Sequence, residues 1–245
     1  MIRFFHQIRQ RLITDNKFSK YLLYAIGEIL LVVIGILIAL QLDSWKNEER
    51  DREKERYYLN SIKTSIDLSQ DELERVINDA ELISSAADTL FLLLSYEKYA
   101  LLQGDFLDSL LFTASDYSQI SLNDGGIQEV LGTGSLDIIR DDQIRLILAS
   151  WDERIHKIRK YEGETVTLGL DYTEYLREYI NASRWVLDSS SIVIPEKRTK
   201  LLTDPNLRNY LSRIAGVHNM MFERYSDERK LLDSLKTLID KKLLK

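Results

Sequence analysis

The chain has no cysteine, three histidines, two prolines and ten glycines in 245 residues. Without cysteine there are no disulfides, and the redox compartment is left unmarked. His6 falls in the N-terminal tail, so His156 and His218 are the domain's histidines. Two are too few for a His-rich metal site and give no basis for a hydrolase triad. The prolines are Pro195 and Pro205, and no glycine or proline falls between Gly35 and Gly104. Nothing in that stretch breaks a helix. Net positive charge is also lacking beyond the tail: subtracting the tail's +4 and the −1 of Glu28 from the chain's −6 leaves −9 for residues 43–245. An acidic domain offers no electrostatic footprint for nucleic acid.

What is present is a long apolar run, YLLYAIGEILLVVIGILIALQL, over residues 21–42, closed by Trp45. A hydrocarbon core of ~30 Å needs about 20 helical residues. The run holds fourteen Leu, Ile or Val side chains, which together favour insertion by about 4–8 kcal/mol. Glu28, the one charge, costs about 2.5–3.5 kcal/mol if it is central and ionised, so insertion wins. A cleaved signal peptide has an apolar region of roughly 7–15 residues followed by a small-residue site; here Gln41, Leu42, Asp43, Ser44 and Trp45 follow instead. The run is an uncleaved anchor.

Lys and Arg are tied across the span: Arg3, Arg9, Arg11, Lys17 and Lys20 precede it, and Lys46, Arg50, Arg52, Lys54 and Arg56 follow. Short loops carry more weight than long domains in setting orientation. The tail therefore predicts a cytoplasmic N-terminus and a periplasmic C-terminal domain. Within the tail, Phe4, Phe5, Ile8, Leu12 and Ile13 recur at helical spacing among arginines, a pattern suited to the inner leaflet or to a plain orienting flank.

Beyond the span the pattern is helical. Leu59, Ile62, Ile66, Ser69, Leu73, Val76, Ala80, Ile83, Ala87, Leu90 and Leu94 are spaced alternately three and four apart, and all but Ser69 are apolar. Such heptads mark a long helix with a coiled-coil or bundle seam. Leu82, Phe91, Leu92 and Leu93 add a second apolar face, which favours packing against more than one neighbour. A second helix is predicted from an N-cap at Asp141 or Asp142 to about Asn181, its seam interrupted at Arg154 and Thr165, with Gly163 and Gly169 weakening it. A third opens at Asp204-Pro205, an N-cap followed by proline at the first helical position, and closes on Lys241 and Lys242. Between the rods, residues 102–140 hold five glycines and short helices around Phe106–Phe112 and Ile127–Leu131. Residues 182–203 read as a connection that is briefly extended at Ile192-Val193-Ile194.

The run FSKYLLYAIGEILLVVIGILIALQLDSW, from Phe18 to Trp45, resembles the signature of an uncharacterised single-pass membrane protein family of Gram-negative bacteria, a domain of unknown function. The short basic tail, the charged helix after the anchor and the central segment Glu129-Val130-Leu131-Gly132-Thr133-Gly134-Ser135-Leu136-Asp137-Ile138-Ile139 carry the rest of the resemblance. The resemblance implies location and architecture and brings no activity.

Candidate chemistry is sparse. Glu153-x-x-His156 has the spacing of a di-iron bundle motif, but Ala215 stands where a second motif would need Glu before His218. The pair is predicted to be an exposed helical couple. Gly132-Thr133-Gly134-Ser135 lacks a phosphate-loop lysine and reads as a turn. Asn181-Ala182-Ser183 fits a glycosylation acceptor by chance in a bacterial chain. Tyr172, Tyr175 and Tyr179 keep seam spacing and are predicted to pack in the core rather than line a ligand groove. Glu28 is the strongest candidate, since an ionisable residue inside a span usually faces protein. It shares a helical face with Tyr21, Tyr24, Val32, Gly35 and Ala39, and Gly35-x-x-x-Ala39 permits close helix approach.

The sequence thus predicts an all-α protein with a basic amphipathic tail over 1–20 and a transmembrane helix over 21–42 that continues into a heptad-patterned helix. The extramembrane domain, 43–245, is predicted to be an elongated helical bundle. The predicted function is binding or scaffolding in the inner membrane, not catalysis, with no cofactor and no metal. Its partners are the membrane and either a second copy or another envelope protein, with Glu28, Gly35 and Ala39 as the intramembrane contact. The alternative is a sensor-like ligand-binding bundle, weakened because a tail of residues 1–20 holds no output domain.

Overall fold

The computed structural model describes residues 18–184 and 191–244. The expectations for residues 1–17, and for the side chains of Tyr21 and Tyr24, lie outside the described residues. The chain divides into two units, Met1–Glu55 and Arg56–Lys245. Among the described residues the fold is all-α, and the one β pairing is an isolated antiparallel bridge between Ile180 and Val193.

Helix α1 (Phe18–Ser95) contributes to both units. In the first unit its described Leu, Ile and Val side chains lie bare, from Leu22 at 51% to Leu42 at 58% exposure. Among the described residues it is the one helix long and apolar enough to cross a membrane.

The second unit is a bundle of three long helices: α1 from Arg56 onward, α5 (Trp151–Leu176) and α7 (Pro205–Leu243). α7 runs antiparallel to α1, as the pairs Lys63–Asp240, Lys236–Asp67 and Arg229–Glu74 require. It also runs antiparallel to α5, as Arg154–Glu228 and Tyr225–Glu162 require. Shorter helices fill the connections: α2 (Gly104–Thr113), α3 (Gly125–Gly132), α4 (Asp142–Ala149) and α6 (Arg198–Thr203).

All eleven predicted seam positions of α1, from Leu59 to Leu94, are buried. They face the chain's own helices, so the heptads form one wall of an intramolecular bundle. The second apolar face behaves differently from expectation. Phe91 and Leu93 pack at the edge of the core, but Leu82 and Leu92 are exposed, because the partner helices cover one side of α1 only.

The caps follow the sequence. Asp141 accepts from the N–H groups of Gln143 and Ile144 at 3.0 and 3.2 Å, opening α4. Asp204 accepts from Asn206 N–H at 2.9 Å, with Pro205 next, opening α7. Each satisfies backbone donors that a helix start leaves without a partner.

One predicted helix is two. The run expected from Asp142 to Asn181 breaks at Ser150, and α5 ends at Leu176. The break frees the Ile147 carbonyl, which accepts from Arg154 Nη1 at 2.8 Å, while Ser150 Oγ accepts from the same nitrogen. The Trp151 indole N–H donates to Asp124 at 3.1 Å, fixing the new start. Beyond Leu176 the chain turns into the short bridge, where Asn181 N–H donates to Ile192 O at 2.8 Å and Ile194 N–H to Tyr179 O at 2.9 Å. These are partners that periodicity alone does not reveal.

Two hydrophobic clusters fill the bundle. One joins Ile83–Leu94 of α1 to α2, the C-terminal half of α5, α6 and the start of α7. The other joins Leu59–Ala80 of α1 to α3, α4, Trp151, Ile158 and the C-terminal half of α7.

Candidate functional site

Between the two clusters lies a polar layer. Ser84, Ser118, Glu162, Thr165 and His218 are all buried there. Ser84 Oγ donates to Asn219 Oδ1 at 2.8 Å, tying α1 to α7 at this level. Glu162 has no exposed surface; its Oε1 accepts from Ile120 N–H at 2.6 Å and Tyr225 Oη–H at 2.8 Å, and its Oε2 from Arg159 at 3.2 Å. Burial, then the Glu162 carboxylate, pushes the Tyr225 phenol well above its usual range. With its lone pairs so engaged, Glu162 holds structure in place.

What it holds is a strap, residues 115–124, a non-helical run between α2 and α3. The strap makes no ladder with another strand, and after Ser115 and Asp116, whose N–H groups donate to Phe112 O and Thr113 O, several of its backbone donors are met by side chains. Ser121 N–H donates to Glu72 at 2.8 Å and Asn123 N–H to Ser69 Oγ at 2.9 Å. At the start of α3, Gly126 N–H donates to Ser65 Oγ at 2.8 Å. Gly126 sits so close to α1 that a Cβ there meets Ser61 O at 2.3 Å. Ser61, Ser65 and Ser69 thus form a polar ladder at i, i+4, i+8 on one face of α1. That spacing was visible in the sequence, and it explains why Ser69 alone interrupts the apolar seam. Arg75 completes the clamp, donating to Gln119 O at 3.1 Å and to Glu72, whose carboxyl it holds below the usual range.

The central segment 129–139 docks beside this ladder. Glu129 accepts from Tyr57 Oη at 3.2 Å and Ser61 Oγ at 3.3 Å. Tyr58 and Ser135 hydroxyls lie 3.1 Å apart. Gly132 ends α3, and Gly134 adopts φ 66°, the left-handed turn conformation that favours glycine. Gly132-Thr133-Gly134-Ser135 is therefore a turn, as its sequence predicts.

The remaining sequence candidates resolve simply. Glu153 and His156 are exposed, and Glu153 pairs with Lys157 at 2.6 Å, which pulls its carboxyl below the usual range. His218 is remote from them in sequence and lies in the polar layer. Among the described residues no group of three or more His, Cys, Asp or Glu could hold a metal ion. Asn181 Oδ1 accepts from Ser183 N–H at 3.2 Å, a local turn. Tyr172 and Tyr179 are buried and Tyr175 partly so; with Tyr210 they form a cluster with ring centroids 5.2–6.5 Å apart. Their role is packing. The Tyr175 and Tyr179 hydroxyls both donate to Asp204 Oδ2 at 2.9 Å, so the α7 N-cap also anchors α5. Sequence reasoning found the cap and missed this second duty.

In the first unit, Glu28, Gly35 and Ala39 all lie exposed on the apolar helix, and a Cβ added at Gly35 meets nothing within 4 Å.

A helical bundle preceded by one bare apolar helix defines a membrane-associated helical protein. Within that class, the chain belongs to a family of unknown function, DUF6090, which it matches over residues 28–203. No curated protein and no solved structure matches it.

Proposed function

We propose that this protein is a single-pass, membrane-anchored scaffold of the Gram-negative inner membrane, with its N-terminus cytoplasmic and residues 43–245 periplasmic. It assembles through the span, where Glu28, Gly35 and Ala39 meet a second copy or another envelope protein, and it carries no catalytic activity. The supporting observation is a division of labour along α1. The heptad seam is consumed inside the chain's own bundle, while the apolar span stays bare on every described side. A charge on that span is best accommodated against protein, and the open surface at Gly35 suits close helix approach.

The protein should remain with inner membranes through an alkaline carbonate wash, and a reporter fused after Lys245 should report the periplasm. Release by carbonate overturns the anchor; a cytoplasmic signal reverses the orientation. Association is read by energy transfer between copies of the 17–46 segment in lipid. Glu28→Leu should weaken it by about 1 kcal/mol, in the range of polar contacts between membrane helices, and Gly35→Leu at least as much. Unchanged association in both variants removes the span as the contact.

A further inference from the structure

We propose that the face of α1 just beyond the apolar run, from Leu42 to Glu53, binds the headgroup of a phospholipid that carries a phosphate and a primary amine. The site rests on the anchor reading and lies wholly within the first unit. Leu42, Trp45, Lys46, Glu49, Arg50 and Glu53, all exposed, line an open cleft of about 480 Å³. Two cations stand beside two carboxylates, so the charges of the cleft sum to zero. That balance complements a zwitterion better than an anion.

The charges are sorted along the helix. Lys46 and Arg50 stand four residues apart, and so do Glu49 and Glu53. Like charges at that spacing repel, whereas opposite ones stabilise a helix. Directly beside the cleft α1 does pair opposites, Arg52 donating to Glu48 at 2.8 Å. Within the cleft Lys46 could reach Glu49, and Arg50 could reach Glu53, at a spacing of three, but neither pair forms. Arg50 donates to Asn47 Oδ1 at 2.8 Å instead. Among the described residues Lys46, Glu49 and Glu53 make no hydrogen bond or ion pair. Two blocks of opposite charge, turned outward and left to solvent, suit a dipolar partner from outside the chain.

The depth fits a headgroup. Leu42 ends the apolar run, and Lys46 follows about 6 Å further along the axis at 1.5 Å per residue. The polar layer on each side of a ~30 Å hydrocarbon core is roughly 5–8 Å thick. Helical side chains lean toward the helix N-terminus, here the apolar run, so Glu49, Arg50 and Glu53 reach back toward that layer. Phosphate oxygens accept from Lys46 Nζ and the Arg50 guanidinium, and the primary ammonium donates to the Glu49 and Glu53 carboxylates. The Trp45 indole sits at the apolar edge, where such rings anchor at interfaces. A parallel second copy is the poorer occupant. Steps of seven carry the face of Gly35 and Ala39 on to Leu42, Lys46, Glu49 and Glu53. A copy packed along it sets Lys46, Glu49 and Glu53 each against its own equal, like charge on like.

The test is lipid retention by the full chain in mild detergent, counted by native mass spectrometry. Phosphatidylethanolamine, phosphatidylcholine and phosphatidylglycerol are added singly at equal concentration. The first offers a phosphate and an N–H donor, the second a quaternary amine without N–H, and the third no amine. Two exposed charge pairs should favour phosphatidylethanolamine over either of the others by roughly three- to tenfold. Glu49→Gln combined with Glu53→Gln should abolish that preference and raise phosphatidylglycerol, whereas Lys46→Gln combined with Arg50→Gln should lower retention of phosphatidylethanolamine several-fold. All four side chains are exposed, so these changes leave the fold intact. Equal retention of phosphatidylethanolamine and phosphatidylcholine overturns the proposal. So does a wild-type preference for phosphatidylglycerol, or a preference for phosphatidylethanolamine that survives the loss of both carboxylates. Carbonate release of the wild type would fail the anchor and this site together; a chain that stays with the membrane and shows any of these results fails the site alone.

Discussion

Arg154 and Glu228 meet across α5 and α7 in a two-pronged ion pair, with Nε 3.0 Å from Oε2 and Nη2 3.2 Å from Oε1. Glu228 is buried and Arg154 largely so. Arg154 is the residue that interrupts the predicted seam, and its guanidinium also takes the carbonyl freed by the helix break. Arg154→Ala strands a buried carboxylate and should cost about 3–5 kcal/mol. Arg154→Met combined with Glu228→Leu should recover most of that loss, because paired replacement removes the desolvation penalty along with the attraction. Denaturant titration of the three proteins measures both.

Gly126 and Gly132 stand at opposite ends of α3 and should respond oppositely to a methyl group. Gly126→Ala drives a Cβ to 2.3 Å from the Ser61 carbonyl, a backbone atom that cannot step aside. It should cost roughly 2–3 kcal/mol or more and loosen the strap. Gly132→Ala meets open space in a helical position, and should be neutral or stabilising by up to about 1 kcal/mol. Thermal melts that fail to separate the two variants would refute the close approach of α3 to α1.

Glu97 sits at φ 56°, the left-handed position that closes α1, where Lys98 N–H donates to Leu93 O at 2.8 Å. Helices commonly place glycine there, since a Cβ is strained. Glu97→Gly should stabilise the domain by about 0.5–1 kcal/mol, read as a raised midpoint at unchanged slope.

Asp204 caps α7 and accepts both tyrosine hydroxyls. Burial raises its carboxyl, but the Asn206 N–H and the Tyr179 and Tyr175 hydroxyls outweigh it and hold the group below the usual carboxylate range. A depressed folded value means stability present above the ordinary value of about 3.9 and lost as pH falls below it. Asp204→Ala should cost about 2 kcal/mol at pH 7, from the cap and the charge-assisted bonds, and the gap to wild type should shrink at pH 3. A gap independent of pH argues against the charged cap.

Ile83 is buried in the seam, whereas Glu74 is exposed and 3.4 Å from Arg229. Ile83→Asp should destabilise by several kcal/mol and Glu74→Gln by no more than about 1 kcal/mol. Similar melts for both would contradict the register of α1.

The sequence by itself determined the apolar span, the all-α class, the register of α1 from Leu59 to Leu94, the N-cap at Asp204, the earlier N-cap to within Asp141 or Asp142, and the glycine turn at 132–135. Each depends on spacing or chemistry within a few residues of the chain, where helical geometry places side chains predictably. Only the tertiary structure decided that Ser150 breaks a helix, that Leu82 and Leu92 stay outside, and that Ser61, Ser65, Ser69, Glu72 and Glu162 hold a strap across the bundle. Those outcomes rest on partners far apart in sequence: Arg154 needs Glu228, Ile120 needs Glu162, Gly126 needs Ser61. A polar residue in an apolar stripe shows locally that something interrupts the core, but which group satisfies it is settled only where distant segments meet.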